Sequence, residues 1–124
     1  MKVGNYVRTK RGLIAKIVNI NTFREPCMKY GIDLDDIWFI GDDDIKLVKD
    51  KPIDLIEVGD LVTLTSKYCE NEVYRVIHTF KDNNDTIIEL DCFQDGTMFI
   101  SKSEDIKSIV TKEQFESMEY KVGD

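Results

Sequence analysis

One pattern occurs twice in this chain and limits what the chain can fold into. Val3-Gly4-Asn5-Tyr6-Val7 leads through β-branched runs to Asp44-Ile45-Lys46-Leu47-Val48, and Val58-Gly59-Asp60-Leu61-Val62 leads through a similar series to Asp105-Ile106-Lys107-Ser108-Ile109-Val110. Two copies fall short of the three or more that an open solenoid needs, so the repeat predicts a closed pair of small units packed on each other. Each half, roughly 55–60 residues, would be marginally stable alone. Lys49-Asp50-Lys51-Pro52, the one candidate linker, runs directly into Ile53, Leu55, Ile56 and Val58 and offers no hinge.

Within the first copy, Tyr6 to Lys10 and Leu13 to Ile20 are partly alternating strand runs split by Arg11-Gly12, a hairpin in which Gly12 supplies the positive φ of the turn. Residues 21–36, with Pro26 and Gly31, read as a polar connection. Strands at Ile37 to Ile40 and Ile45 to Val48 follow, parted by a turn at Gly41-Asp42-Asp43. The second copy repeats the order: Leu61 to Leu64, Glu72 to Phe80, a turn at Asp82-Asn83-Asn84-Asp85, Thr86 to Leu90, and Thr97 to Ile100 after Asp95-Gly96. Short strands with regular turn signals indicate an all-β barrel or sandwich. Thr111 and Gln114 form a Thr-x-x-Gln capping box, so a helix is expected there, with Phe115 and Met118 turned inward and a terminal strand from Glu119 to Val122. The expected class is mainly β: two tandem SH3-like small β-barrel modules packed together, with a short C-terminal helix. The boundaries are 1–50 for the first module, 51–57 for a short helical connection, 58–110 for the second module and 111–124 for the helix and strand.

The net charge of −7 is unevenly spread. Residues 1–31 hold seven Lys/Arg and one acid, residues 32–60 three and ten, and residues 61–124 seven and thirteen. Overall acidity weighs against a nucleic-acid-coating role but leaves room for a local anion site in the first third. Cys27, Cys69 and Cys92 form no C-x-x-C pair, the N-terminus lacks an apolar leader, and no run approaches the 18 apolar residues of a membrane span. A cytoplasmic protein with reduced thiols and no membrane partner is expected.

Catalytic chemistry has few candidates. A nucleophile needs a base beside it, and the one histidine, His78, stands inside a β-branched strand and reads as a surface or sheet-bonded residue. Three scattered cysteines lack zinc spacing. Asp33, Asp35, Asp36, Asp42, Asp43 and Asp44 bracket the only tryptophan without the Gly and Glu register of a calcium loop. No phosphate-binding glycine motif occurs, and the chain is expected to be no enzyme, with no metal and no cofactor.

Two binding sites are expected instead. Trp38 with Asp42, Asp43 and Asp44 form a partner-binding patch, an aromatic anchor beside acids. Arg8, Lys10 and Arg11 around the first hairpin, with Arg24, form an anion or ligand site, Arg8 and Lys10 sharing one strand face. The ordinary reading of these charges, as edge-strand and turn residues that prevent aggregation and pair with the Asp-rich segment, outweighs the anion site. Phe23, Tyr30, Trp38 and Phe39 are candidates for a groove lining; Trp38 and Phe39, being successive, face opposite sides.

Three blocks carry a resemblance: Val3 to Lys10, Ile53-Asp54-Leu55-Ile56-Glu57-Val58-Gly59-Asp60, and Ile109 to Val122 with its Thr-Lys-Glu-Gln-Phe-Glu-Ser-Met-Glu-Tyr-Lys-Val run. Together they resemble small accessory proteins of phages and prophages of low-GC Gram-positive bacteria. That resemblance implies a non-enzymatic protein in the host bacterial cytoplasm that binds and inhibits a host defence protein, an anti-CRISPR among the options. The alternatives are a sponge for a cyclic-nucleotide immune signal, drawn from the basic hairpin and nearby aromatics, and an SH3-like nucleic-acid-binding module, which the acidity disfavours. A homodimer through exposed barrel edges is compatible with each.

Overall fold

The computed structural model describes residues 1–21, 25–65, 72–92, 96–113 and 120–121. The chain divides into two compact units, Met1–Leu55 and Ile56–Asp124. Unit 1 contains β1 (Tyr6–Thr9), β2 (Ile14–Ile20), β3 (Tyr30–Leu34), β4 (Asp36–Ile40) and β5 (Ile45–Lys49). They form one antiparallel sheet in the order β4-β3-β2-β1-β5. Unit 2 contains β6 (Leu61–Leu64), β7 (Val73–Asp82), β8 (Asp85–Cys92), β9 (Gly96–Ile100), β10 (Ile106–Val110) and β11 (Tyr120–Lys121). Its sheet runs β9-β8-β7-β6-β10-β11, so its first five strands are arranged as in unit 1, with β11 added outside β10.

Four expectations need correction or completion. Neither sheet closes into a barrel among the described residues: β4 and β5 end one sheet, β9 and β11 the other. The stretch 21–36 is no simple connection, because it contains a 3-10 turn at Pro26–Met28 and all of β3. The expected C-terminal helix falls largely on 114–119, outside the described residues; among those described there is no α-helix, and the terminal strand is present as β11. The short helical connection is a 3-10 turn at Pro52–Leu55 with Pro52, Ile53 and Leu55 buried.

The repeated opening has a physical basis. Gly4 and Gly59 take φ of +98° and +100°, a region that an L side chain enters only with strain. This turns the chain so that Gly4 N–H donates to Ile17 C=O and Ile17 N–H donates to Asn5 C=O, both near 2.9 Å. Gly59 N–H donates to Val76 C=O and Val76 N–H to Asp60 C=O in the same way. Each turn closes on its own side chain: Asn5 Oδ1 accepts from Lys2 N–H at 2.9 Å, and Asp60 Oδ2 accepts from Glu57 N–H at 2.8 Å.

Both long second strands then divide their pairing. The first half of β2 pairs with β1 and the second with β3, with a bulge between Ile17 and Asn19; β7 does the same between β6 and β8, with a bulge between Val76 and His78. A bulge bends and twists a strand, which folds each sheet over its own apolar face. In unit 1 that face centres on Val7, Ala15, Ile17 and Ile32, with Ile20, Leu34, Ile40, Ile45 and Val48 packed against it. In unit 2 Val62, Leu64, Tyr74, Val76, Ile88, Leu90, Ile100, Ile106 and Ile109 are buried.

Candidate functional site

The most exposed large apolar side chains on strands of unit 1 lie on its terminal strand. Ile37 and Trp38 in β4 are 56% and 57% exposed. Trp38 stands opposite Ile32 and therefore on the core side of the sheet, overhanging its edge; Ile37 stands opposite Asp33 on the outer side. Phe39, also on the outer side, is only half-buried, and it lies over Gly31: a Cβ there would come within 3.4 Å of the Phe39 ring and 3.1 Å of the Ile37 side chain. The glycine thus lets two apolar residues of β4 close over β3.

Strand alternation accounts for this arrangement, and the residues on either side add charge. Asp33, Asp35 and Asp36 are exposed at the start of β4, where the chain reverses at Asp35 with φ of 68°. At its end Gly41 leads into the 3-10 turn Asp42–Asp44, also exposed. The three aspartates of this turn differ in role. Asp42 Oδ1 accepts from the hydroxyl of buried Tyr30 at 2.7 Å, with Lys29 Nζ 4.0 Å from Asp42 and 5.3 Å above the Tyr30 ring. Asp44 Oδ2 accepts from Gly41 N–H at 3.0 Å and its C=O accepts from Lys10 N–H at 2.9 Å. Asp43 makes no such bond among the described residues. Trp38 and the aspartate turn are therefore brought to one strand and its immediate continuation, with Asp42 and Asp44 held in structural bonds and Asp43 projecting to solvent. Tyr30 is buried in the fold, and Phe23 lies outside the described residues.

The basic constellation does not assemble as expected. Arg8 is 0% exposed, and its Nη1 donates to Leu55 C=O at 3.0 Å. β1 is flanked by β2 and β5, and the pairing with β5 shifts between Arg8 and Thr9. The face Arg8 occupies is thus interior, and Lys10 is exposed beyond the end of the strand, its backbone tied to the acidic turn. Arg11 is exposed at the hairpin turn, where Gly12 takes φ of 88°, and Arg24 lies outside the described residues. Among the described residues, Arg8 is buried and does not join Lys10 and Arg11 in an exposed cationic pocket.

Unit 2 presents a different surface. His78 and Phe80 of β7 pack ring to ring at 5.4 Å, and Phe80 meets Phe99 of β9 edge-on at 6.3 Å. Glu89 lies between them in register, 3.7 Å from His78, and Arg75 is 3.8 Å from Asp91 on the same face. His78 is thus a surface residue beside a carboxylate, in a row of aromatics interrupted by acids. Cys27 is a free, exposed thiol. Among the described residues no three His, Cys, Asp or Glu side chains converge as cation ligands, and no helix is long and apolar enough to cross a membrane. Set against models of protein families, curated proteins and solved structures, the chain gives no match.

Proposed function

We propose that this is a non-enzymatic binding protein that engages a host protein through the β4 edge of unit 1, as a phage accessory inhibitor of a defence effector, a CRISPR nuclease being one such target. The observation that carries the reading is that β4 is, among the described residues, the last strand of its sheet, with Ile37 and Trp38 more than half exposed. Edge strands are normally guarded by lysine, proline or bulges. β5, the other edge of this sheet, carries Lys46 and Lys49, whereas β4 carries neither guard. The aspartates around it suit a target surface built for a polyanion. Each unit is read as an SH3-like module: the order of its first five strands and the 3-10 turn between its fourth and fifth strands support that reading. Burial of Arg8 removes the main support for a nucleotide sponge.

The test is affinity capture from infected host lysate, followed by reconstitution with the captured protein. A stoichiometric complex that suppresses the target's activity is expected, weakened at least tenfold by Ile37→Ser with Trp38→Ser and unchanged by Phe99→Ser. Inhibition that survives the double substitution, or a purified protein that turns over a substrate unaided, would overturn the reading.

A further inference from the structure

Resting on that reading, we infer that β4 recognises its partner by strand addition, and that the partner segment is an extended stretch of about five β-branched residues with a cationic side chain at each end. As the terminal strand of an antiparallel sheet, β4 directs alternate N–H and C=O groups away from β3, the template on which an incoming strand can build a ladder. An added strand would lay its side chains beside Trp38 on one face of the sheet and beside Ile37 on the other, so it gains apolar contact on both.

The charges select the occupant. β4 is bracketed by Asp33, Asp35 and Asp36 at its start and by Asp42, Asp43 and Asp44 after its end. If a second copy of the chain paired β4 against β4 in the antiparallel sense, the acids before one strand would face the acids after the other. Parallel pairing would align the two sets with themselves. Like charges opposed across strands destabilise the pairing, so the brackets guard the edge against itself while leaving it open to a strand with basic ends. Within the second set Asp42 and Asp44 also hold bonds of the fold, to Tyr30 and to Gly41, and Asp43 is the one that projects to solvent. The corresponding turn of unit 2 is Ser103-Glu104-Asp105, and it makes the same link, Thr65 N–H donating to Asp105 C=O as Lys10 N–H does to Asp44 C=O. β9, the corresponding edge, is preceded in sequence by Asp95 and followed by Glu104 and Asp105, but it runs first into Ser101 and Lys102 where β4 runs into Gly41 and Asp42, so the far end of β4 is the more acidic of the two.

The experiment uses the full-length protein and a synthetic peptide, acetyl-Lys-Val-Thr-Val-Thr-Val-Lys-amide, read by the emission of the single tryptophan and by amide shifts along β4. Binding that weakens with added salt is expected, and a Glu-ended version should not bind. Asp36→Asn and Asp43→Asn should each weaken the peptide about two- to fivefold, as surface charge pairs do. Two peptides N-methylated on alternate residues separate strand addition from side-chain docking: one should lose at least tenfold and the other bind as the parent does, because only one set of N–H groups faces β4. Equal behaviour of the two, no binding by the parent at millimolar concentration, or equal binding of the Glu-ended peptide would overturn the inference. A dimer in sedimentation that Trp38→Ser dissolves would also overturn it, assigning the edge to a second copy. If the peptides fail while the captured host protein still binds through Ile37 and Trp38, strand addition is wrong and the binding function stands; if neither binds, both fall.

Discussion

The two repeated openings share a side-chain oxygen that closes the turn and differ in the polarity of the second bond, and exchanging their central residues tests whether those bonds hold the units. Asn5 accepts from Lys2 N–H through Oδ1 and donates through Nδ2 to Asp50 Oδ1 at 2.8 Å. Asp60, fully buried, accepts twice, from Glu57 N–H and from Lys112 N–H at 2.9 Å. Asn5→Asp keeps the first bond but sets a second carboxylate against Asp50 where a donor stood. Asp50 is exposed and can turn to water, so the loss is that of one bond to a charged group, about 1.5–3 kcal/mol, and not the full repulsion. Asp60→Asn leaves one backbone N–H facing an amide N–H in either orientation. That costs about 1–3 kcal/mol, with about 1 kcal/mol more for the charge lost from the remaining bond. Urea unfolding followed by Trp38 emission reads unit 1. Far-UV circular dichroism, with amide exchange at Gly59 and Val76, reads unit 2. Taking a slope near 1.5 kcal/mol per M, Asn5→Asp should lower its transition by roughly 1–2 M urea and Asp60→Asn by roughly 1.3–2.7 M. Adding Asp50→Asn to Asn5→Asp returns a donor to the pair from the other side and should recover at least half of the loss. If the Asn5→Asp transition stays within about 0.5 kcal/mol of the parent, or if Asp50→Asn adds to its loss instead of offsetting it, the account of the openings is refuted.

Other substitutions probe the remaining steps. Arg8→Met removes a buried guanidinium and leaves Leu55 C=O without that donor, so it should cost about 2–4 kcal/mol and lower the thermal midpoint by roughly 10 °C or more. Gly59→Ala meets nothing closer than Lys112 Cδ at 3.5 Å, so its loss of about 1–2 kcal/mol should come from backbone strain alone and appear in chemical unfolding. Tyr30→Phe deletes the bond to Asp42 and should cost about 1 kcal/mol. Trp38→Ser, at an exposed edge, should change stability by less than about 0.5 kcal/mol in thermal melts while removing partner binding.

Most of the strands were legible because their apolar alternation is local. β6 falls on Leu61–Leu64 as the pattern predicts, and β1, β2, β4 and β5 differ from the expected limits by a residue or so at their ends. β3 was not legible. Its outer positions are Gly31 and Asp33, residues that read as loop formers, and Gly31 is explained only by Phe39 and Ile37 crossing it from the next strand. Arg8 was misplaced for a similar reason: alternation fixes which face a residue takes, and nothing local says that this face is covered or that the carbonyl of Leu55, far along the chain, meets it. Of the site, Trp38 and its exposure were readable as one of two outcomes. The division of labour among Asp42, Asp43 and Asp44 was not, since it depends on Tyr30 and Lys10 arriving from elsewhere in unit 1. Ile37 was not among the candidate residues, and Asp36 was weighed only with the acids that bracket Trp38, although an apolar strand lacking lysine or proline is a signal the sequence contains.

Two units with the same strand order act as controls for one another. Where they agree, a bond accounts for the agreement: a glycine with φ near +100° at each opening, a side-chain oxygen closing each turn, and an aspartate carbonyl receiving an N–H from the residue just beyond the first strand. Where they differ, the scaffold imposes no choice. Gly31 corresponds to Glu89, which stands directly opposite Phe99 on the outer face of unit 2, whereas in unit 1 the outer face carries Phe39 and Ile37 lying over the glycine. Trp38 corresponds to Met98, Asp42 to Ser103 and Asp43 to Glu104. These differences converge on one strand and its continuation. Glu104 keeps the charge of Asp43, so what sets β4 apart is its overhanging indole, its outer isoleucine and the aspartate in place of Ser103, and in the function proposed above these are the features a partner would meet on unit 1 and not on its counterpart.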